Sequence, residues 1–149
     1  MNDLMSAMLT YAGLFAAAFL AATLLPAQSE AVLLGLMAMD RYPVPLLLFV
    51  ASAGNILGSC LNYAVGRYLA GSASVQRCFR TSHRDRAEQW YRRYGKWSLL
   101  ASWVPVIGDP LTVVAGALRE PFLTFVLIVT VAKAGRYLVL AAIHEAWFG

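Results

Sequence analysis

Two long stretches without a charged residue decide what this chain can fold into. Residues 4–29 and 42–66 contain no Asp, Glu, Lys or Arg. Each stretch exceeds the roughly 20 apolar residues that a helix needs to cross a bilayer. The chain is 60% hydrophobic and 13% charged, whereas soluble domains average about 25% charged residues. The sequence therefore predicts an all-α integral membrane protein and excludes a soluble enzyme.

A proline followed four residues later by a carboxylate occurs twice in apolar surroundings. The copies are Pro26 with Glu30 and Pro105 with Asp109, so both residues recur at an offset of 79 (105 − 26 and 109 − 30). Proline interrupts a helix because it lacks a backbone N–H. A carboxylate inside a membrane segment is costly and usually functional. We predict an internal duplication with hairpin breaks at Pro26 and at Pro105, the latter together with Gly108.

Each copy of the duplication is predicted to be a re-entrant helical hairpin followed by one transmembrane helix. The apolar piece at residues 30–39 is too short to cross a bilayer unaided. One crossing per copy turns the second copy upside down, an arrangement found in many secondary transporters. Residues 4–25 could instead cross the membrane completely. The predicted organisation is a single membrane domain (1–149) with repeat one at 4–69, a linker helix within 70–96 and repeat two at 97–144.

The segment between the repeats is strongly basic. Residues 67–96 hold eight of the twelve Lys and Arg, and the positive-inside rule places them in the cytoplasm. A capping-box pattern at Ser82 and a glycine at Gly95 predict the limits of a basic amphipathic helix in the membrane interface. This helix either anchors the chain or binds anionic lipid, with Arg92, Arg93 and Lys96 as the anion-binding candidates. A nucleic-acid partner is not expected, because the segment lies between membrane segments.

The second charge-free stretch carries small and polar residues at helical spacing. Gly54, Asn55, Gly58 and Asn62 recur at intervals that place them on one helix face. Gly54 and Gly58 form a GxxxG pattern, which permits close approach of another helix. The face therefore either packs against a helix or lines a path for a polar substrate.

Four ionisable residues lie in the predicted membrane segments: Glu30, Asp109, Lys133 and Arg136. Their formal charges sum to zero, so two ion pairs could form. Glu30 and Asp109 are candidates for a transport or proton site, because burial raises the pKa of a carboxylate and a nearby cation lowers it. Lys133 and Arg136 would pair with them or bind an anionic group. Alternatively, the pairs only hold the repeats together.

No enzyme, metal site or cofactor is predicted. The sequence lacks the GxSxG and HExxH motifs and has no phosphate-binding glycine loop. Its two histidines lie outside the predicted membrane core.

Four stretches that carry these residues resemble the DedA family, also called the SNARE-associated Golgi or VTT-domain superfamily, and within it the small YqaA-like subgroup. They are LLPAQSE (24–30), GNILGSCLN (54–62), SWVPVIGD (102–109) and KAGRY (133–137). The resemblance implies two opposed re-entrant hairpins and translocation of a lipid, either undecaprenyl phosphate or a phospholipid. In some family members it also implies dependence on the proton motive force.

The chain departs from the better-known family pattern at two positions. Ser102 and Gly108 stand where that pattern has arginines, whereas Glu30 matches the acid of the first hairpin. Lys133 and Arg136 could supply the missing positive charge.

The sequence therefore predicts a small lipid transporter, or flippase, in the bacterial inner membrane, with protons or another cation as the coupling ion. Membrane lipids are its expected partners. A homodimer is also expected, because about 150 residues is little to enclose a pathway. The alternative is a non-transporting membrane organiser that binds partners or anionic lipid through the GxxxG face and the basic helix.

Overall fold

The computed structural model describes residues 2–23, 28–39, 41–69, 71–73, 82–104 and 107–148. Within these ranges all regular structure is helical, which confirms the predicted all-α class. The helices are α1 (Asn2–Thr23), α2 (Gln28–Ala38), α3 (Val44–Leu69), α4 (Ser82–Tyr94), a 3₁₀ helix (Gly95–Trp103), α5 (Gly108–Ala117) and α6 (Phe122–Phe148). The predicted breaks at Pro26 and Pro105 lie outside the described residues.

Within the described residues, three helices are long and apolar enough to cross a membrane. The candidate spans are Asp3–Ala22, Val44–Leu69 and Phe122–Trp147. The first of these satisfies, by length and composition, the alternative that residues 4–25 cross completely. Helix α2 is apolar but has only 11 residues, so it is too short to span.

The chain divides into two compact units. Unit 1 comprises Met1–Gly58 and Ala134–Gly149, and unit 2 comprises Ser59–Lys133. Each unit therefore holds one predicted hairpin and a part of both α3 and α6. The predicted repeats instead assign each long helix whole to one repeat, and their boundaries stay a prediction.

In unit 1, α1 lies against α3 and runs in the same direction. A Cβ atom on Gly54 would come within 2.6 Å of the Phe15 carbonyl oxygen, and one on Gly58 within 2.6 Å of the Ala22 Cβ. The Tyr42 hydroxyl, just before α3, shares a 3.0 Å hydrogen bond with Thr10. The end of α1 thus lies level with Gly58, 14 residues into α3 (58 − 44), or about 21 Å at 1.5 Å per residue.

In unit 2, α3 and α5 meet backbone to backbone. A Cβ atom on Gly66 would overlap the Val113 carbonyl oxygen, and one on Gly116 would overlap the Tyr63 carbonyl oxygen. Such an approach is open only to glycine. A buried apolar cluster surrounds the crossing and includes Tyr63, Ala87, Tyr91, Leu99, Leu111, Val114, Ala115, Phe125 and Val129.

Helix α4 has the limits that the sequence predicts, since it begins at Ser82 and is followed by Gly95 at φ +60°. Its apolar residues divide between two environments. Ala87 and Tyr91 are buried in the unit 2 core, whereas Trp90 and Tyr94 remain exposed. Half of the apolar side is therefore packed on protein and half is left for the membrane interface.

Helix α5 ends in a Schellman motif with an arginine in the left-handed position. The Glu120 N–H donates to the Ala115 carbonyl and the Arg119 N–H donates to that of Gly116, both at 3.0 Å. Arg119 has φ +58°, a position that usually holds glycine. A residue with a Cβ costs about 1–2 kcal/mol there.

Candidate functional site

Glu30 and Arg136 form an ion pair in unit 1. Glu30 lies in the first turn of α2, and Arg136 lies in the apolar helix α6. Their side chains are 23% and 14% exposed. The pairing neutralises two charges that would each be costly in a membrane.

A buried hydroxyl network lies beside this pair. The Tyr137 hydroxyl shares a 3.2 Å hydrogen bond with Ser29 and accepts one from the Asn55 Nδ2 at 3.1 Å. Tyr137 thereby joins the start of α2 to α3 from a position next to Arg136. Sequence reasoning missed Tyr137 and Ser29 as site residues, although both lie in stretches quoted for the family resemblance.

Asp109 and Lys133 form the second ion pair, in unit 2. The Lys133 Nζ donates to the Asp109 Oδ1 at 2.8 Å, and the two side chains are 3% and 22% exposed. Thr112, one turn after Asp109, donates its hydroxyl to the Asp109 backbone carbonyl at 2.6 Å. A lysine this deeply buried is tolerated because its partner is charged and hydrogen-bonded.

Each pair lies near the middle of the long helices of its own unit. Lys133 is 11 residues into α6 (133 − 122), and Asn55, beside the first pair, is 11 residues into α3 (55 − 44). At 1.5 Å per residue this depth is about 16 Å, roughly half of a 30 Å hydrocarbon layer. Acids and cations at that depth are functional-site candidates by default.

Gly108 has a packing reason to be glycine. A Cβ atom there would overlap the Ser102 carbonyl oxygen, and the Gly108 N–H donates to the Val104 carbonyl at 2.9 Å. These two contacts fix Gly108, and the next residue, Asp109, reaches Lys133.

The predicted path-lining residues have different surroundings. Gly54 and Gly58 face α1 within unit 1, so their face serves as a helix contact. Asn55 binds Tyr137, and Asn62 is buried. A path along Asn55 and Asn62 stays a prediction.

The basic residues at the end of α4 and the start of the 3₁₀ helix are exposed. Arg92 forms a 2.8 Å ion pair with Glu88, Arg93 lies over the Tyr94 ring, and Lys96 lies over the Trp97 ring. Exposed charges beside aromatic rings suit the interface of an anionic membrane. Binding of lipid by these three residues stays a prediction.

Tyr91 links α4 to the turn between α5 and α6 through a hydrogen bond. Its hydroxyl donates to the Glu120 Oε2 at 2.7 Å. Burial is the main cause that raises the pKa of Tyr91 above its usual value, and this hydrogen bond raises it further. The tyrosine therefore stays a neutral donor at physiological pH.

Comparisons with known proteins identify relatives over almost the whole chain. The sequence profile of the VTT domain matches residues 4–145. The inner membrane protein YqaA of Escherichia coli K12 is 37% identical over 139 residues, which cover 93% of each chain. An uncharacterized protein of Haemophilus influenzae is 36% identical over 134 residues, which cover 85% of this chain and 82% of that protein. No solved structure matches.

Proposed function

This chain belongs to the VTT-domain, or DedA, family, and on that premise we propose that it transports a lipid with a phosphate headgroup. It is a protein of the inner membrane, the location in the name of its E. coli relative, and its described residues include three helices long and apolar enough to cross. The proposed transport site comprises Glu30 and Asp109 as proton-accepting groups with Arg136 and Lys133 as their partners.

The proposal rests on one observation. In each unit, the acid of a predicted hairpin forms an ion pair with a cation of α6. An ion pair inside the membrane can be broken by a proton that binds its acid. A proton that binds Glu30 neutralises it and leaves Arg136 with an unbalanced charge. A phosphate headgroup can then neutralise the guanidinium through two parallel hydrogen bonds. Protonation would thus be coupled to anion binding.

The contacts within unit 2 support a re-entrant second hairpin. Tyr63, near the end of α3, contacts the Glu120 carbonyl and the Phe122 ring at the start of α6. Asp109, at the start of α5, reaches Lys133 about 16 Å further along α6. Helix α5 therefore leads from mid-depth back to the end where α3 finishes. We propose that residues 95–117 enter and leave the membrane on one side.

The contacts within unit 1 support the same arrangement for the first hairpin. Helix α1 ends level with Gly58, inside the span of α3. Ser29 and Asn55 share Tyr137, so α2 begins close to that depth. Together with the duplicated proline–acid motif, this supports two inverted repeats of one ancestral hairpin.

The organiser alternative has less support. Its GxxxG face is already occupied by α1 within the chain, so a partner would have to displace α1 to use it. Its basic helix remains available to anionic lipid, which is compatible with either function.

The proposal is tested by reconstituting the full chain into liposomes and measuring headgroup translocation of undecaprenyl phosphate and of phospholipids. We expect the wild type to move a phosphate-bearing lipid and Glu30→Gln to be at least tenfold slower. Glu145→Gln, at an exposed acid near the end of α6, is the matched control and should retain the wild-type rate. Equal rates for wild type and Glu30→Gln would refute the role of Glu30. No movement of any lipid by the wild type would refute lipid transport.

A further inference from the structure

Unit 2 contains a cleft of about 570 Å³ where the end of α3 meets the start of α6. Arg67 and Tyr68 contribute to its lining from α3, and Arg119 and Phe122 contribute from the other side. Its volume lies within the range of small-ligand sites. None of these four residues belongs to the ion-pair sites described above.

The cleft carries uncompensated positive charge. Among the described residues, neither Arg67 nor Arg119 has a carboxylate partner. Arg67 donates one N–H to the Tyr63 hydroxyl at 3.1 Å, and that hydroxyl in turn donates to the Glu120 carbonyl. The nearest carboxylate in sequence, Glu120, accepts the Tyr91 hydroxyl and is not among the cleft-lining residues. Two guanidinium groups thus border one cleft with most of their donors available.

The backbone at Arg119 supplies a second, independent observation. This arginine occupies a left-handed position (φ +58°) where glycine would be unstrained. Strained residues that persist in folded proteins cluster at ligand sites. The strained turn carries Arg119 to the rim of the cleft, whereas a glycine there would form the same turn without a charge.

The position of the cleft indicates the source of its ligand. Arg67 lies in the last turn of the α3 span, and Phe122 begins the α6 span, so the cleft lies at a membrane surface. Tyr68 and Phe122 are 78% and 54% exposed, and aromatic side chains at this level contact lipid headgroups. The planar guanidinium of an arginine matches the geometry of phosphate oxygens.

We propose that this cleft binds the phosphate group of an anionic lipid headgroup at the membrane surface. As a binding site it requires only that α3 and α6 span the membrane. As the site where lipid is loaded before translocation, it rests on the proposed function. The phosphate is held by Arg67 and Arg119, and the glycerol and chains extend past Tyr68 and Phe122 into the lipid.

The test is calorimetric titration of the full chain in non-ionic detergent with two probes, dihexanoyl phosphatidylglycerol and inorganic phosphate. We expect the wild type to bind the lipid probe at least tenfold more tightly than phosphate. Arg119→Gly should weaken lipid binding at least tenfold while the melting temperature stays level or rises, because glycine relieves the left-handed strain. Arg67→Gln should also weaken binding, which keeps the test decisive if one variant fails to fold. Arg41→Gln, an exposed arginine outside both the cleft and α4, controls for loss of one positive charge and should bind as the wild type does.

Each other outcome has a definite meaning. Tight binding of inorganic phosphate without the lipid probe would overturn the lipid assignment in favour of a soluble anion. Binding unaffected by both Arg119→Gly and Arg67→Gln, or no binding of either probe, would overturn the site. These readouts do not involve translocation, so a failure here leaves the Glu30→Gln test intact, and the reverse also holds.

Discussion

At the scale of single residues, the two ion pairs differ in how their cations can bind a phosphate. The planar guanidinium of Arg136 can donate two parallel hydrogen bonds to phosphate oxygens, whereas the ammonium of Lys133 binds as a point charge. When Glu30 is protonated, Arg136 must find another anion. The Glu30–Arg136 pair is accordingly the better candidate for coupling a proton to an anionic headgroup.

The pairing of Glu30 with Arg136 predicts a stability pattern. Removing one partner of a buried pair leaves an unbalanced charge and costs about 3–5 kcal/mol when burial is complete. The side chains here are 23% and 14% exposed, so we expect Arg136→Gln to fall at or below the low end of that range. Glu30→Gln combined with Arg136→Gln should recover part of the loss. Thermal unfolding of both single variants and the double variant in detergent measures the coupling, and strictly additive effects would argue against the pair.

At the scale of secondary-structure elements, glycine contacts determine how the helices pack. Gly54 and Gly58 admit α1 to the surface of α3, and Gly66 and Gly116 bring α3 against α5. Since the second contact joins backbone to backbone, it fixes where α5 runs. As a result, Asp109 is held beside Lys133, and Arg119 is held at the cleft between the end of α3 and the start of α6.

This packing predicts opposite effects for two Gly→Ala substitutions in apolar helices. At Gly66 the new methyl group would overlap the Val113 carbonyl, so Gly66→Ala should destabilise the protein by about 1–3 kcal/mol, as overpacking does. At Gly13 nothing lies within 4 Å, so Gly13→Ala should be neutral or stabilise by up to about 1 kcal/mol. Melting temperatures measured in one detergent compare the two variants. A tolerated Gly66→Ala would contradict the close contact.

At the scale of the whole molecule, three helices of the described part of the chain are long enough to cross, and two segments are predicted as re-entrant hairpins. The contacts of unit 2 place the end of α3 beside the start of α6. The segment between the end of α3 and the start of α6 should then begin and end on the same side of the membrane. The basic composition of residues 67–96 predicts that this side is the cytoplasm.

Cysteine labelling tests this topology in a background with Cys60→Ala and Cys78→Ala. Ser72→Cys and Leu118→Cys flank the proposed second hairpin and should both react with a membrane-impermeant thiol reagent from the cytoplasmic side. Met39→Cys precedes the α3 span and should react from the opposite side. Labelling of Ser72→Cys and Leu118→Cys from opposite sides would show that residues 73–117 cross the membrane instead of returning.

The fold class and several local features could be predicted from the sequence because they depend on composition and short-range pattern. The charge-free runs required membrane helices, and Gly95 marked the end of α4. The sequence could not show which acid meets which cation, because residues 109 and 133 come together only through packing. In the sequence, Tyr137 looks like an ordinary residue of an apolar helix, because only the fold brings Ser29 and Asn55 into hydrogen bonds with its hydroxyl. The role of Arg119 depends on a backbone angle that no sequence pattern specifies.

We propose above that a proton opens the Glu30–Arg136 pair and thereby drives lipid movement. The most direct measurement is the initial rate of headgroup translocation in proteoliposomes, with and without an imposed pH gradient, for wild type and Glu30→Gln. If this coupling holds, the gradient accelerates the wild type, and the variant is at least tenfold slower and insensitive to the gradient. A Glu30→Gln protein that moves lipid as fast as the wild type, and still responds to the gradient, would contradict it.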